Sequence, residues 1–309
     1  MTKKKASIII SILVVMGIIA IVSVVAGSGL STNALEDVPP IIWSRYISDE
    51  NGHITGGELC SYDVGTKEIR TLEDIAFDHV SYDGKSLLVG IQNLFPDSSG
   101  FKGIVTYDIH TGELREILSC DEIYAMLDEN DHAFCGEVQM DPDKKSFYFL
   151  CGGKLFLYDA EKEELTVLFD TAGEQCILSS NGETLYYSEG GKLYAYHPEN
   201  KETETVLEGV YNFTVSNDEK MIVYENRKEE GIYLYLPKTG EDKELFQVDY
   251  PDNVLSISDD NGYLLFTDYK ETIPATNIKT IIGIYDFSTG KKTVVYQGEY
   301  GEDFRAILW

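Results

Sequence analysis

Short apolar and aromatic runs alternate with short polar turns over residues 41–309, and this pattern predicts β-strands throughout. Thr184–Ser188 and Leu193–Tyr196 are two such runs. Asn181-Gly182 precedes the first run, and Gly190-Gly191 separates the two. An Asn-Gly pair predicts a type I′ turn, because both central residues of that turn need positive φ. The stretch therefore predicts a meander of antiparallel strands joined by tight turns.

The same unit recurs along the chain, and its third strand ends in a tyrosine next to a turn. These tyrosines are Tyr62, Tyr107, Tyr158, Tyr196, Tyr235 and Tyr285, spaced 38 to 51 residues apart. An outer strand follows each turn, and two further strands precede the tyrosine. Four strands at a period near 40–50 residues are typical of a β-propeller. Strands that are apolar on both faces fit blades packed between two neighbours.

The two ends of the pattern complement each other. The first unit begins at Ile41–Ile47 with its second strand and lacks an innermost strand, while Asp303–Trp309 forms a lone strand at the other end. We expect this C-terminal strand to complete blade 1, which would leave no open sheet edge. The predicted fold is an all-β, six-bladed propeller of four-stranded antiparallel blades, closed by the C-terminal strand and preceded by one transmembrane helix.

The first 40 residues differ sharply from the rest. Residues 1–5 carry three lysines, and Ala6–Ala26 then runs without a charge. At 1.5 Å per residue this segment is about 31 Å long, enough to cross a bilayer. We therefore predict a cytoplasmic tip (1–5), a transmembrane helix or uncleaved signal anchor (6–27), a linker (28–40) and the propeller domain (41–309), with the propeller outside the cell membrane. If the segment is cleaved as a signal peptide, the protein is secreted.

Charge narrows the range of partners. The chain has 53 acidic and 25 basic residues, a formal net charge of −28. Such a surface repels phosphate groups, so nucleic acid is not expected as a partner. A solvated, soluble surface is the simplest interpretation of the excess acid.

The five cysteines are Cys60, Cys120, Cys135, Cys151 and Cys176. An odd number excludes a complete set of intramolecular disulfides. Cys120 and Cys135 flank one insertion, and a disulfide that closes it is the less favoured alternative. Cys60, Cys151 and Cys176 lie in strand-like runs, which favours small buried side chains. No CxxC motif indicates a zinc site.

Two repeat motifs resemble those of six-bladed propellers of the TolB-like group, within the wider WD-repeat-like superfamily. Ser81-Tyr82-Asp83-Gly84-Lys85-Ser86-Leu87 resembles the motif S-x-D-G-x-x-L, and the stretch 105–113 resembles L-x-x-Y-D-x-x-T-G-E. The resemblance covers about residues 41–309 and implies the propeller fold. The sequence contains no Trp-Asp dipeptide and no G-x-S-x-G nucleophile elbow. A WD-repeat protein or a peptidase-type propeller enzyme is therefore not expected.

Four connections are longer than their counterparts, and propeller geometry places all of them on one face. They are Ser48–Gly56 in blade 1, Gln92–Lys102 in blade 2, the link Cys120–Gly136 and Asp268–Thr280 in blade 6. Blades 6, 1 and 2 are neighbours in the predicted ring, so these loops should form one sector. Long loops on a rigid scaffold commonly carry function. The linker enters at the opposite face, so we expect the sector to point away from the membrane.

Nine residues of this sector are the predicted binding residues: Asp49, His53, Phe95, Phe101, Tyr124, Asp128, Asp131, His132 and Tyr269. Exposed aromatic side chains are enriched at binding hot spots. The competing interpretation is that the aromatic residues fold back as caps over the propeller.

Candidate chemistry is sparse, and no catalytic or metal-ligating residue is assigned. His53 and His132 lie near Asp49 and Asp131, where a metal or acid–base role is the less favoured alternative. The run 128–131 offers oxygen ligands for calcium but lacks the D-x-D-x-D-G spacing, so a solvated loop is favoured and no cofactor is expected. The innermost strands supply charged or ionisable side chains only at Asp78, His79, Glu137 and Arg305.

Two functions follow from these patterns. The favoured hypothesis is a membrane-anchored extracytoplasmic propeller that binds an unknown protein or cell-envelope component without catalysis. The alternative is a propeller enzyme of lactonase, lyase or cyclase type that acts on a small molecule at a metal site in the central funnel. A cluster of histidine and carboxylate groups at the ends of the innermost strands would favour the enzyme. Fold alone does not decide between them.

Overall fold

The computed structural model describes residues 40–49, 54–74, 77, 79–83, 87–93, 101–127, 135–143, 145–173, 175–226, 228–248, 254–272, 277–299 and 302–309. Among these residues, no helix combines the length and apolar character needed to cross a bilayer. The predicted transmembrane segment Ala6–Ala26 and nearly all of the predicted linker lie outside the described residues.

The described strands form four-stranded antiparallel sheets, six in number, each of which is one blade. Blade 1 contains β1 (Ile41–Ser48), β2 (Ile54–Tyr62) and β3 (Ile69–Glu73), and blade 2 contains β4 (His79–Tyr82), β5 (Leu87–Asn93), β6 (Phe101–Asp108) and β7 (Leu114–Ser119). Blade 3 contains β8 (Cys135–Met140), β9 (Ser146–Cys151), β10 (Lys154–Asp159) and β11 (Glu164–Asp170). A short helix, α1 (Cys120–Tyr124), links blades 2 and 3.

The remaining strands continue the same pattern. Blade 4 contains β12 (Gln175–Leu178), β13 (Leu185–Glu189), β14 (Lys192–His197) and β15 (Glu202–Glu208). Blade 5 contains β16 (Val210–Val215), β17 (Ile222–Asn226), β18 (Gly231–Leu236) and β19 (Glu241–Gln247). Blade 6 contains β20 (Leu255–Ile257), β21 (Tyr263–Thr272), β22 (Asn277–Asp286) and β23 (Lys291–Gln297), and the chain ends with β24 (Glu302–Leu308).

The C-terminal strand closes the ring. β24 pairs with β1 as the innermost strand of blade 1, with Ile42 opposite Leu308 and Ile47 opposite Glu302. The innermost strands β24, β4, β8, β12, β16 and β20 contact one another in that order, and β20 returns to β24. The predicted all-β propeller of four-stranded antiparallel blades and the predicted role of the C-terminal strand are thereby confirmed.

Strand order defines two faces. The upper face carries the hairpins between the second and third strands of each blade and the links from one blade to the next. The lower face carries the turns between the first and second strands, and β1 begins there. The short helix α1 lies at the upper face and has a complete capping box, in which Ser119 and Glu122 exchange hydrogen bonds.

The hydrophobic core lies between blades rather than within them. Six buried clusters each combine side chains of two adjacent blades. In the cluster between blades 6 and 1, Trp43 packs with its ring centroid 5.1 Å from that of Tyr62 and 4.9 Å from that of Tyr296. The central strands must therefore bury both of their faces, which explains their continuous apolar sequence.

Recurrent aspartates shape the turns between third and outer strands. These turn aspartates are Asp63, Asp108, Asp159 and Asp286, and their carboxylates accept hydrogen bonds from main-chain amides two or three residues later. The amides of Thr111 and His110 hold the pKa of Asp108 below its ordinary value. An Asx-type turn of this kind is a local device, which explains why it is visible as a sequence repeat.

The turn predicted at Asn181-Gly182 has a different geometry. The last ladder pair before it is Leu178 opposite Leu185, so six residues intervene instead of two. Gly182 has φ 74°, but Asn181 is not among the residues with positive φ, so the type I′ prediction is wrong. By contrast, Gly190 and Gly191 both have positive φ and form the two-residue turn between β13 and β14.

The cysteine predictions need correction. A disulfide joins Cys135 to Cys151, so Cys120 and Cys135 do not pair, and the prediction that Cys151 is only a small buried side chain is wrong. Cys135 and Cys151 are directly opposite each other on the adjacent strands β8 and β9, a proximity that only strand register reveals. Cys120, Cys60 and Cys176 are free thiols, and the last two are buried as predicted.

Candidate functional site

The centre of the ring encloses a channel of about 670 Å³ that is lined by the innermost strands. Its wall is largely uncharged and includes Gln139, Ile177, Thr214 and Ser256. Three carboxylates approach it at the lower face: Asp83, Asp141 and Asp259. Burial raises the pKa of Asp141. The channel is therefore a polar but weakly charged cavity with an acidic lower mouth.

One pair of ionisable side chains faces this channel from neighbouring blades. His79 on β4 and Glu137 on β8 approach to 3.1 Å between Nδ1 and Oε1. Both side chains are about one-fifth exposed, at 21% and 20%. Sequence analysis identified these two residues among the few charged or ionisable side chains of the innermost strands, and the closed ring brings them together.

Glu137 is held in an unusual backbone conformation. It is the extra residue of a bulge between the pairs Gly136–Leu150 and Val138–Phe149, and its φ is 47°. A non-glycine residue in the left-handed region costs on the order of 1–3 kcal/mol. Bulges redirect single side chains and are frequent near functional sites. Sequence reasoning missed this feature, because no residue preference marks a glutamate for a bulge.

The neighbouring innermost strand β12 places an amide in the channel wall and a thiol in the core between blades 3 and 4. Burial raises the pKa of the Cys176 thiol well above its ordinary value, and the nearby charge of Glu137 raises it further. The thiol is therefore protonated and unreactive at neutral pH. Gln175 bridges to blade 5, since its amide both donates to the Phe213 carbonyl and accepts from the Phe213 amide, each at 2.9 Å.

This arrangement limits the chemistry of the described channel. A histidine–carboxylate pair can transfer a proton or bind a polar ligand. Within the described residues, no three or more His, Cys, Asp or Glu side chains are grouped so that they could hold a metal ion. The described channel thus presents one acid–base pair rather than a preformed metal centre.

The upper face is asymmetric, because some hairpins extend much further than others. In blade 6 the ladder between β21 and β22 continues to Thr272 opposite Asn277. In blade 2 the ladder of β5 and β6 continues to Asn93 opposite Phe101. In blade 4 the corresponding hairpin ends at Glu189 opposite Lys192. The connection predicted as a loop over Asp268–Thr280 is therefore mostly paired strand.

The structure locates four of the nine predicted binding residues. Asp49 follows the end of β1 at the upper face, and Tyr269 lies within β21, opposite Thr280, rather than in a loop. Phe101 is the first residue of β6. Tyr124 lies in α1 and packs against the core cluster between blades 2 and 3, which agrees with the capping interpretation. Burial raises the pKa of Tyr124.

The other predicted binding residues cannot be compared with the structure. His53, Phe95, Asp128, Asp131 and His132 lie outside the described residues. The described parts of their hairpins and links nevertheless belong to the upper face. Whether these residues contact a partner stays a prediction.

No protein-family model matches the chain, and no curated protein matches it in sequence. Its structure is similar to TolB from Acinetobacter baumannii, with a TM-score of 0.69, 14% identity, and coverage of 89% of this chain and 67% of that one. It is also similar to a chain of the nidogen/laminin complex, with a TM-score of 0.65, 11% identity, and coverage of 87% and 97%. A protein described as a 6-phosphogluconolactonase from Bacteroides uniformis gives a TM-score of 0.50 at 14% identity, with coverage of 84% and 83%. At these identities the similarity establishes the propeller fold alone.

Proposed function

We propose that this protein is a non-catalytic binding propeller, anchored in the cell membrane by residues 6–27, that holds a protein or cell-envelope component on its upper face outside the cytoplasm. The observation that carries the proposal is the asymmetry of that face. Long hairpins rise from blades 6 and 2, on either side of blade 1, whereas blade 4 ends in a two-residue turn. Rigid hairpins that project from one sector of the face are suited to bind a large partner.

The similar structures support a binding role without identifying the partner. One of them belongs to the nidogen/laminin complex, so the same fold takes part in a complex between proteins. Another is TolB. The direction of the chain supports the proposed orientation, because β1 begins at the lower face and the sector would therefore point away from the anchor.

Trimmed hairpins test the proposal. The pairs Tyr269–Thr280 and Ile91–Ile104 are directly opposite each other. Replacing residues 270–279 and 92–103 by Asn-Gly should therefore shorten both hairpins to two-residue turns with the ladder below them intact. The matched control replaces Gly190 by Asn in the existing two-residue turn of blade 4, where both residues already have positive φ.

The measurement is quantitative affinity capture from detergent-solubilised membranes of the parent cell, with the full-length protein as bait. We expect a partner that the native protein and the Gly190→Asn control retain and that the trimmed variant loses. Equal recovery with all three baits, or no partner with any of them, would contradict the proposed sector. A protease-protection assay on intact cells tests the orientation separately, since an external propeller must be degraded when protease is added outside.

The second candidate function is an enzyme that acts on a small molecule in the channel, of lactonase, lyase or cyclase type, with metal bound in the funnel. The specific observation in its favour is the His79–Glu137 pair, held at 3.1 Å by a strained bulge. A thermal-shift screen of lactones, uronides and divalent cations tests it, with Glu137→Gln as the comparison. A ligand that stabilises the native protein and not the variant would favour the enzyme over the scaffold.

A further inference from the structure

A groove of about 970 Å³ runs along the side of the ring between blades 2 and 3. One wall is formed by β6, β7 and α1, and the other by β9, β10, β11 and the turn before β11. β7 contains six residues, so at about 3.3 Å per residue this wall is about 20 Å long. The groove therefore has the length of about six residues of extended polypeptide.

The floor of the groove is apolar. Phe147 and Leu118 form its buried part, and Ile117 and Leu165 are half-buried beside them. Met126, just after α1, is 42% exposed and is one of only four large hydrophobic side chains that are exposed among the described residues. An accessible methionine over an apolar floor is a common feature of surfaces that accept varied side chains.

The rims of the groove are acidic. Five carboxylates line it: Asp108, Glu113, Glu122, Glu163 and Glu164. Arg115 is the single basic side chain among its lining residues. The carboxylates are distributed on both walls, so a cation-bearing segment within the groove would meet negative charge on either side.

Tyr158 supplies a polar group to the lining of the groove. Its counterparts at two other seams bridge the blades, since the Tyr62 hydroxyl donates to the Val295 carbonyl at 2.8 Å and the Tyr107 hydroxyl donates to the Leu72 carbonyl at 2.9 Å. No such bond joins Tyr158 to the described part of blade 2. Burial raises the pKa of Tyr158, and the charges of Glu163 and Glu122 raise it further, so the hydroxyl remains protonated.

We propose that the groove between blades 2 and 3 binds an extended segment of a partner polypeptide in which lysine or arginine alternates with apolar residues. Alternate side chains of an extended segment point in opposite directions, so one set would meet the apolar floor, while the long lysine or arginine side chains of the other set bend back to the acidic rims. Nucleic acid and anionic lipid are unsuited to this groove, because five carboxylates would face their phosphates. The groove lies on the side of the ring and meets the upper face only at α1, so this binding site extends beyond the proposed function.

The probe is a fluorescein-labelled Lys-Leu-Lys-Val-Lys-Leu peptide, titrated with the full-length protein in detergent and followed by fluorescence anisotropy. We expect saturable binding that weakens as NaCl is raised from 50 to 500 mM, because the rim contacts are screened. A Glu-Leu-Glu-Val-Glu-Leu peptide should not bind. A Lys-Ser-Lys-Ser-Lys-Ser peptide should bind at least about tenfold more weakly, since it lacks side chains for the floor.

Charge reversal locates the site. The double variant Glu163→Lys, Glu164→Lys should weaken binding of the first peptide at least about tenfold. Its control is Glu202→Lys, Glu204→Lys on β15, which makes the same change in net charge on the outer strand of blade 4 and should change affinity less than about twofold. Lys201 already occupies the equivalent turn position with φ 60°, beside 53° for Glu163, so lysine is tolerated there.

Three results would overturn the proposal. One is equal weakening by the two double variants, which would make the attraction a property of net charge. Another is equal binding of the Leu-containing and Ser-containing basic peptides, which would remove the role of the floor. The third is absence of saturable binding up to millimolar protein. A Met126→Ser variant adds an independent readout, because loss of this exposed side chain should weaken the first peptide about threefold and leave the Ser peptide unchanged.

Discussion

Arg45 lies where blade 6 meets blade 1, and its replacement by methionine tests how the ring is held closed. The guanidinium donates to Glu58 at 2.8 Å from Nη2, to Glu302 at 2.5 Å from Nη1 and to the Tyr296 hydroxyl at 3.2 Å. Its side chain is only 11% exposed. Burial alone would lower the pKa of Arg45, but the two carboxylates outweigh burial and hold it above its ordinary value. One cation thus joins β1, β2, β23 and β24.

The expected loss follows from the groups that Arg45→Met leaves behind. The Glu58 and Glu302 side chains are 25% and 12% exposed, and both lose their cation. Removing one partner from a buried ion pair costs about 3–5 kcal/mol. Because Glu58 is partly exposed, we expect the free energy of unfolding to fall by about 3 kcal/mol. For a domain of this size that corresponds to a fall in Tm of about 6–12 °C.

The assay is thermal unfolding of the full-length protein in detergent, followed by tryptophan fluorescence. Trp43 is fully buried beside Tyr296 at the same seam, so its emission reports local opening as well as global unfolding. The matched control is Lys192→Met. Its partner Glu208 lies 2.8 Å away, but the two side chains are 44% and 72% exposed, so solvent screens the pair and the expected loss is much smaller than for Arg45→Met.

A rescue variant separates charge from packing. Combining Arg45→Met with Glu58→Gln and Glu302→Gln removes the uncompensated carboxylates while keeping similar shapes. We expect it to recover at least half of the lost stability. The reasoning is refuted if Arg45→Met costs no more than Lys192→Met. It is also refuted if the rescue variant is as unstable as Arg45→Met, because the loss would then arise from packing of the arginine stem.

Three further predictions concern other parts of the ring. Acid should destabilise the protein below about pH 4. The turn aspartates have folded pKa values below the unfolded value of about 3.9, so they stabilise the fold above that value and lose this stabilisation as the pH falls through the folded value. Asp108→Asn should therefore reduce the difference in Tm between pH 7 and pH 3. Iodoacetamide should modify Cys120 in the native protein but Cys176 only after denaturation, as measured by mass spectrometry. Labelling of Cys176 in the native protein would contradict its burial. Gly283→Ala should destabilise by about 1–3 kcal/mol in urea unfolding, since the new Cβ would lie 2.3 Å from a phenylalanine ring, whereas Gly56→Ala meets nothing within 4 Å and should be neutral.

Local sequence patterns were enough to predict the architecture of the described domain. Each blade is a local meander, so strand periodicity, turn residues and the repeated tyrosine are written within about 50 residues of chain. Tyr107 and Asp108, for example, mark the end of β6 and its turn directly. The lone strand at the C-terminus could be assigned to blade 1, because the first unit lacks an innermost strand and would otherwise leave an open sheet edge. The membrane anchor and the partner remain predictions.

Contacts between side chains that are distant in sequence become visible only in the folded ring. His79 and Glu137 are 58 residues apart and become neighbours through the ring. A register shift recurs between the third and outer strands of every blade, and no residue pattern marks it. Cys135 pairs with Cys151 rather than Cys120 because of the register of β8 and β9. These contacts depend on strand register, which local periodicity does not encode.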